Sequence, residues 1–231
     1  MSAGIEIPWA GELWRLLPEK AVWWPRAATL LLSDLHLGKA SAFRAAGLPV
    51  PEGTTAADLA RLDRLLAAFG PERLLLLGDL LHARSGRSEE TMSAVADWRD
   101  RHRELDILLV RGNHDRAAGD PPAAWGFRCV HEPLLEGGLA FAHDACDPPA
   151  GAHAVLAGHL HPVVAMAPIR GSGVKGARAP CFWLRPHCLV LPAFGSFTGG
   201  LVITPAAGDT VFVIGDGAVV RVAARVSAAR H

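Results

Sequence analysis

Five short polar clusters recur along the chain: Asp34-Leu35-His36, Gly78-Asp79, Gly112-Asn113-His114-Asp115, Ala142-His143 and Gly158-His159-Leu160-His161. They supply carboxylates, imidazoles and an amide, the donor set of hard to borderline divalent cations. No cysteine belongs to them, which separates them from structural zinc sites built on thiolates. Their glycines are expected to let the backbone approach a bound ion closely. A single Gly-Asp pair is ordinarily a turn, and a single histidine ordinarily a hydrogen-bonded core or surface residue. Five such clusters, each closing an apolar segment, point instead to one shared site.

Those apolar segments read as strands. Thr29 to Leu32 ends at Ser33-Asp34, Leu74 to Leu77 at Gly78-Asp79, and Ile107 to Val110 at Arg111-Gly112. In α/β sheets, sites form beyond the carboxyl ends of strands. Between them, Leu59, Leu62, Leu65, Leu66 and Phe69 recur at helical spacing, and Gly70-Pro71 ends that helix. Ser88 is placed to cap a helix with Glu89 and Glu90 in its first turn and Met92, Val95 and Trp98 on its inner face. Later the pattern changes. Val130 to Leu135 and Leu139 to His143 flank Glu136-Gly137-Gly138 as a predicted hairpin. Short strands are predicted over Val155 to Ala157, Val163 to Ala167, Phe182 to Leu184 and Leu189 to Leu191. A second hairpin pairs Val211 to Ile214 with Ala218 to Val222. The expectation is one α/β domain over residues 1–231 with two packed sheets and helices outside. Strand-helix-strand units come first and antiparallel strands later.

A chain of 231 residues buries a sizeable core, and 50% hydrophobic residues exclude intrinsic disorder. No apolar run approaches the roughly 18 residues that span a bilayer. The opening MSAGIEIPWAGELW lacks the basic start and apolar core of a secretory signal, so a cytoplasmic protein without membrane contact is expected. Four cysteines without a CxxC pair are expected to be reduced and mostly buried. With 23 basic and 23 acidic residues, bulk charge gives no sign of nucleic-acid binding. The stretch from Pro148 to Gly208 nevertheless has no Asp or Glu, while it holds Arg170, Lys175, Arg178 and Arg185. It must be electropositive relative to the rest.

In order and type, the five clusters resemble the D-x-H, G-D, G-N-H-D, H, G-H-x-H series of calcineurin-like metallophosphoesterases, from Asp34 to His161 with no position missing. The resemblance implies a sandwich of two mixed β-sheets flanked by helices. It implies that Asp34, His36 and His161 hold one metal, Asn113, His143 and His159 a second, and that Asp79 bridges both. Two cations about 3.5–4 Å apart activate a water and grip phosphoryl oxygens. By the same resemblance His114 is no ligand: it stabilises developing charge or protonates the leaving alkoxide, and Asp115 orients it through a hydrogen bond.

The segments TLLLSDLHLGKASAFRAAGLPVPEGT, LLLLGDLLHARSGR and APCFWLRPHCLVLPAFGSFTGG are similar to the ligase-associated DNA damage response phosphoesterases. These are bacterial endonuclease/phosphodiesterases encoded beside a DNA ligase and helicase. That resemblance implies Mn²⁺ as the metal, with Fe²⁺ or Zn²⁺ accepted by the same ligands. It also implies DNA as substrate within a ligase/helicase repair system. Lys39 and Arg44, close behind the first ligand pair, are expected against phosphate oxygens, and His82, three residues after Asp79, at the site. Arg170, Lys175 and Arg178, in the glycine-rich basic stretch Pro168 to Pro180, are expected against flanking phosphates. Two rivals remain. One is a phosphoesterase of nucleotides or of sugar or lipid pyrophosphates, which zero net charge favours. The other is a non-catalytic metal-binding scaffold, which has no need of His114.

Overall fold

A computed structural model of the protein describes residues 4–166 and 177–222. The leucine-rich segments lie side by side in a seven-stranded sheet. In order across it run β1 (Ile5–Trp9), β2 (Glu12–Leu17), β3 (Ala21–Trp24), β4 (Thr29–Leu32), β5 (Arg73–Leu77), β6 (Asp106–Val110) and β7 (Arg128–Val130). From β1 to β4 the strands pair antiparallel, and from β4 to β7 parallel. Successive side chains of a strand point to opposite faces. Leu30, Leu32, Leu74, Leu76, Ile107 and Leu109 therefore face a helical layer, while Leu31, Leu75, Leu77, Leu108 and Val110 face the second sheet. Burial on both faces is why these strands read as unbroken apolar runs rather than alternating ones.

Among the described residues, four α-helices connect the strands: α1 (Lys39–Ala45), α2 (Thr54–Phe69), α3 (Glu89–Arg101) and α4 (Asn113–Ala118). Leu59, Leu62, Leu65 and Leu66 of α2 and Val95 and Trp98 of α3 cover the outer face of the first sheet. As expected, α2 stops at Gly70, which is left-handed (φ 55°) and returns its N–H to the Leu66 carbonyl at 2.9 Å. The Ser88 hydroxyl caps α3 by accepting the Thr91 N–H at 3.3 Å. None of the described helices is long and apolar enough to cross a membrane.

The second sheet contains β8 (Leu134–Glu136), β9 (Leu139–Phe141), β10 (Ala154–Ala157), β11 (Pro162–Ala165), β12 (Arg178–Leu184), β13 (Cys188–Val190), β14 (Leu201–Val202), β15 (Thr210–Gly215) and β16 (Ala218–Val222). Its order is β14-β11-β12-β13-β10-β9-β8, with the hairpin β15-β16 joined to β12. Trp14 and Trp24 from the first sheet meet Phe141, Phe182 and Phe212 from the second in one buried layer. Burying a Leu or Phe fully stabilises by about 1.5–3 kcal/mol, so this layer binds the two sheets face to face. Both sheets are mixed, and the expected sandwich is present.

Three details depart from expectation. An antiparallel meander, β1 to β3, precedes the strand-helix-strand units. Val130 to Leu135 is not one strand: β7 belongs to the first sheet and β8 to the second. Between them stands Pro133, which has no N–H to offer a ladder. The later strands are not all antiparallel, because β10 pairs parallel with both β9 and β13. Hydrophobic pattern reports burial and says nothing of a neighbour's direction. The cysteines are free; Cys181 and Cys188 are buried, which pushes both thiols up to about 12, whereas Cys146 is exposed.

Candidate metal centre

The five clusters follow β4, β5, β6, β9 and β10 and converge at their carboxyl ends. Backbone bonds tie them together: Asp34 N–H to the Gly78 carbonyl at 3.2 Å and His36 N–H to the Asp79 carbonyl at 2.8 Å. Asp34 Oδ2 accepts the His159 N–H, and Asp79 Oδ1 the His114 N–H, each at 2.9 Å. Asp34, His36 and His161 form one group able to hold a cation; Asp79, His143 and His159 form another. In the first, His161 Nε2 lies 3.2 Å from Asp34 Oδ1 and 3.4 Å from His36 Nε2. In the second, His143 Nε2 lies 2.9 Å from Asn113 Oδ1 and 3.0 Å from His159 Nδ1. Asp79 Oδ2 stands between the groups, 3.7 Å from His36 Nε2 and 3.4 Å from His143 Nε2.

The tautomers follow from second partners. Carbonyl oxygens only accept, so His143 Nδ1 donates to Leu77 (3.1 Å), His161 Nδ1 to Gly199 (3.1 Å) and His114 Nδ1 to His82 (2.6 Å). Whenever such a ring is neutral, its lone pair is at Nε2. At His143 that lone pair faces the Asn113 Oδ1 acceptor, and the buried Asp34 Oδ1 has no hydrogen-bond donor. Burial holds His36 down to about 2, aided by His161 and Lys39, and His82 down to about 4, aided by Lys39 and His114. Both imidazoles are therefore neutral near pH 7. Burial also lifts the Asp79 and Asp115 carboxyls above the usual range.

Asp34, His36, Asp79, His159 and His161 all have positive φ, between 47° and 64°. This left-handed region is unfavourable for a residue with a Cβ. The motif glycines have a different task from the one expected. A Cβ on Gly78 would stand 2.2 Å from His143 Nδ1, and one on Gly112 2.2 Å from Asp79 Oδ1. They make room for the surrounding side chains rather than for an ion. Gly112→Ala is expected to cost about 1–3 kcal/mol through this overpacking, read from urea denaturation; unchanged stability would mean that Asp79 shifts freely.

A surrounding layer holds the centre. Asp115 does not orient His114, as the sequence led us to expect. Its buried carboxylate accepts the N–H groups of Asp79 (2.7 Å), Gly112 (2.9 Å) and Leu80 (2.9 Å), and so fixes two of the loops. The carbonyl of His82 orients His114 instead. The His82 ring stacks on His114 with centroids 4.8 Å apart, and its Nδ1 lies 3.4 Å from His36 Nδ1.

Two supporting residues escaped sequence reasoning. Glu132 accepts the N–H groups of His143 (2.8 Å) and Asp144 (3.0 Å). Asp58 of α2 is buried; it accepts the Ser196 N–H at 3.0 Å and pairs with Arg61 at 2.9 Å. It thereby anchors the loop whose Gly199 carbonyl fixes His161. A carboxylate on the Leu62 and Leu65 face of α2 was the available signal. Asp58→Ala removes the ion-pair partner of Arg61, which keeps its bond to the Phe194 carbonyl, leaves the Ser196 N–H unpaired, and is expected to cost about 3 kcal/mol in urea denaturation. A loss below about 1 kcal/mol would show that other contacts hold the loop.

The other expected residues fare differently. Lys39 is half-buried and within electrostatic reach of Asp34 and Asp79. Arg44 turns away: it donates to the Pro51 carbonyl (3.1 Å) and the Ser41 hydroxyl (3.2 Å) and pairs with Glu90 (3.3 Å). Its guanidinium is thus engaged at the surface between α1 and α3. Arg178 is exposed and lines a cavity of about 290 Å³ with Lys20, His161 and Gly200. Arg170 and Lys175 lie outside the described residues.

Comparison with known proteins adds to this geometry. The family model of calcineurin-like phosphoesterases matches residues 28–128. The crystal structure of the Pseudomonas putida nuclease MPE is 44% identical, covering 95% of this chain and 100% of that one with a TM-score of 0.81. A phosphoesterase from E. coli, Yfce, is 17% identical over 85% of this chain and 99% of its own, with a TM-score of 0.43. No curated protein matches the sequence. Identity at that level to the nuclease, over nearly the whole of both chains, means that this protein belongs to the calcineurin-like phosphoesterases and is a hydrolase of phosphoesters.

Proposed function

We propose that the centre takes two divalent cations and that the protein is a phosphodiesterase acting on DNA. Asp34, His36 and His161 would hold one ion, Asn113, His143 and His159 the other, with Asp79 shared. The observation carrying this reading is a pair of acceptors left facing no donor or each other: Asp34 Oδ1 is buried and unpartnered, and the Nε2 lone pair of His143 faces Asn113 Oδ1. Cations held by these residues would relieve both, and imidazoles with carboxylates suit them. When bound, such ions supply Lewis-acid stabilisation of phosphoryl oxygens and acidify water.

The chain's own contribution is proton handling and orientation. His114 Nδ1 is committed to the His82 carbonyl, which leaves Nε2 as the ring position able to hold a proton for a departing oxygen. The His114 side chain is 34% exposed, against 2% for Asp79, so it stands on the open side of the centre. A nuclease at 44% identity supports a nucleic acid as the substrate, and the ligase-associated segments favour DNA. The ligase-associated segments support Mn²⁺, a cytoplasmic setting and a role in repair beside a ligase and helicase. With Mn²⁺ supplied, the protein is expected to open circular single-stranded DNA and to cut a small phosphodiester faster than a phosphomonoester. Hydrolysis confined to nucleotides or pyrophosphates would replace DNA by the small-molecule reading.

A further inference from the structure

Beside the centre, Lys39, Phe43, Ser196, Phe197, Thr198 and Gly199 line an open cavity of about 300 Å³. It shares two walls with the centre. The Gly199 carbonyl accepts from His161 at 3.1 Å, and Lys39 is within electrostatic reach of Asp34 and Asp79. A third connection is aromatic. Phe43 lies 6.1 Å from His82 between ring centroids, and His82 stacks on His114. Phe43 and Phe197 meet edge to face at 5.6 Å and 87°. Both rings are half-buried, and neither belongs to the buried hydrophobic clusters. The wall is held in place: the Ser196 N–H is bound by Asp58, and the Thr198 hydroxyl donates to the Gly195 carbonyl at 2.7 Å.

Two aromatic faces, two hydroxyls and an ammonium within reach of a phosphate site form a specific combination. The rings offer stacking to a flat heteroaromatic group. The hydroxyls of Ser196 and Thr198, whose hydrogens go to Asp58 (3.2 Å) and to the Gly195 carbonyl (2.7 Å), offer acceptors to N–H groups on its edge. The Lys39 ammonium offers a charge to the attached phosphate. We infer that this cavity is a nucleobase subsite, which takes the base of a nucleotide whose phosphate lies at the centre. The inference rests on the centre being a phosphate site; a free nucleotide and a residue of DNA present the same base chemistry. With their hydrogens committed, both hydroxyls act as acceptors, so the subsite favours a base edge that presents N–H donors, such as the adenine amino group.

The test is a calorimetric titration of the Mn²⁺-loaded full chain with the 3′- and 5′-monophosphates of deoxyadenosine and with 2-deoxyribose 5-phosphate. One of the two nucleotides is expected to bind roughly 5- to 150-fold more tightly than the sugar phosphate, the range of one stacked base. The double variant Phe43→Leu, Phe197→Leu keeps apolar volume and removes both π faces. In it the ratio is expected to fall towards one. Equal binding of all three ligands by the wild type overturns the subsite, and so does a ratio that survives in the variant. A second arm identifies the source of the base. An oligonucleotide with one abasic residue is expected to lose cleavage beside that residue in the wild type and to be cut evenly by the variant. If no oligonucleotide is cut while the nucleotide preference stands, DNA is excluded and the subsite serves free nucleotides.

Discussion

Asp79→Asn is expected to empty the centre of cations and to lower kcat/KM by ~10³-fold or more, several kcal/mol of transition-state stabilisation being lost with the ions. The substitution keeps the shape of the side chain and its acceptor for the His114 N–H, now 2.9 Å away at Oδ1. It removes the negative charge at the atom standing 3.7 Å from His36 Nε2 and 3.4 Å from His143 Nε2. Without ions the same change is expected to leave stability equal or higher. Burial already disfavours the Asp79 carboxylate, and a neutral amide escapes that cost. Metal analysis, turnover and melting of the metal-free protein together separate the effects. Two bound ions with full activity in the variant would remove Asp79 from the bridging position.

His114→Ala is expected to give the opposite division, with ions retained and kcat reduced ~10²–10⁴-fold. The backbone N–H that holds Asp79 Oδ1 survives the substitution, so the donor cluster is undisturbed. The deficit should shrink for nitrophenyl esters, whose leaving group needs little protonation, and be largest for alkyl esters. Equal deficits on both would limit His114 to electrostatic stabilisation of the transition state. Loss of metal from the variant would make it part of the donor set.

The convergence of the central residues was legible because side chains able to bind metals are few in type and here follow strand ends, and because strands buried on both faces leave unbroken Leu runs such as Leu74 to Leu77. What supports them was less legible. Asp58 and Ser196 are 138 positions apart, and nothing local to either shows the bond. Asp115 stands next to His114 in sequence, yet its side chain serves the backbone of another loop. Arg44 follows the first ligand pair closely, but α1 carries it round to Glu90. The split of Val130 to Leu135 between sheets depends on a partner strand for each half, which no pattern within the segment reports.

The left-handed backbone at Asp34, His36, Asp79, His159 and His161 sets durability against usefulness. Non-glycine residues in this region cost of order 1–3 kcal/mol each, and glycine escapes the cost. A library of this gene screened only for survival on heating, without metal, is therefore expected to enrich glycine or asparagine at 36 and 161. The winners would outlast the parent and hydrolyse nothing. Any effort to harden this protein has to score turnover alongside survival, since an unsupervised search for toughness would dismantle the centre first.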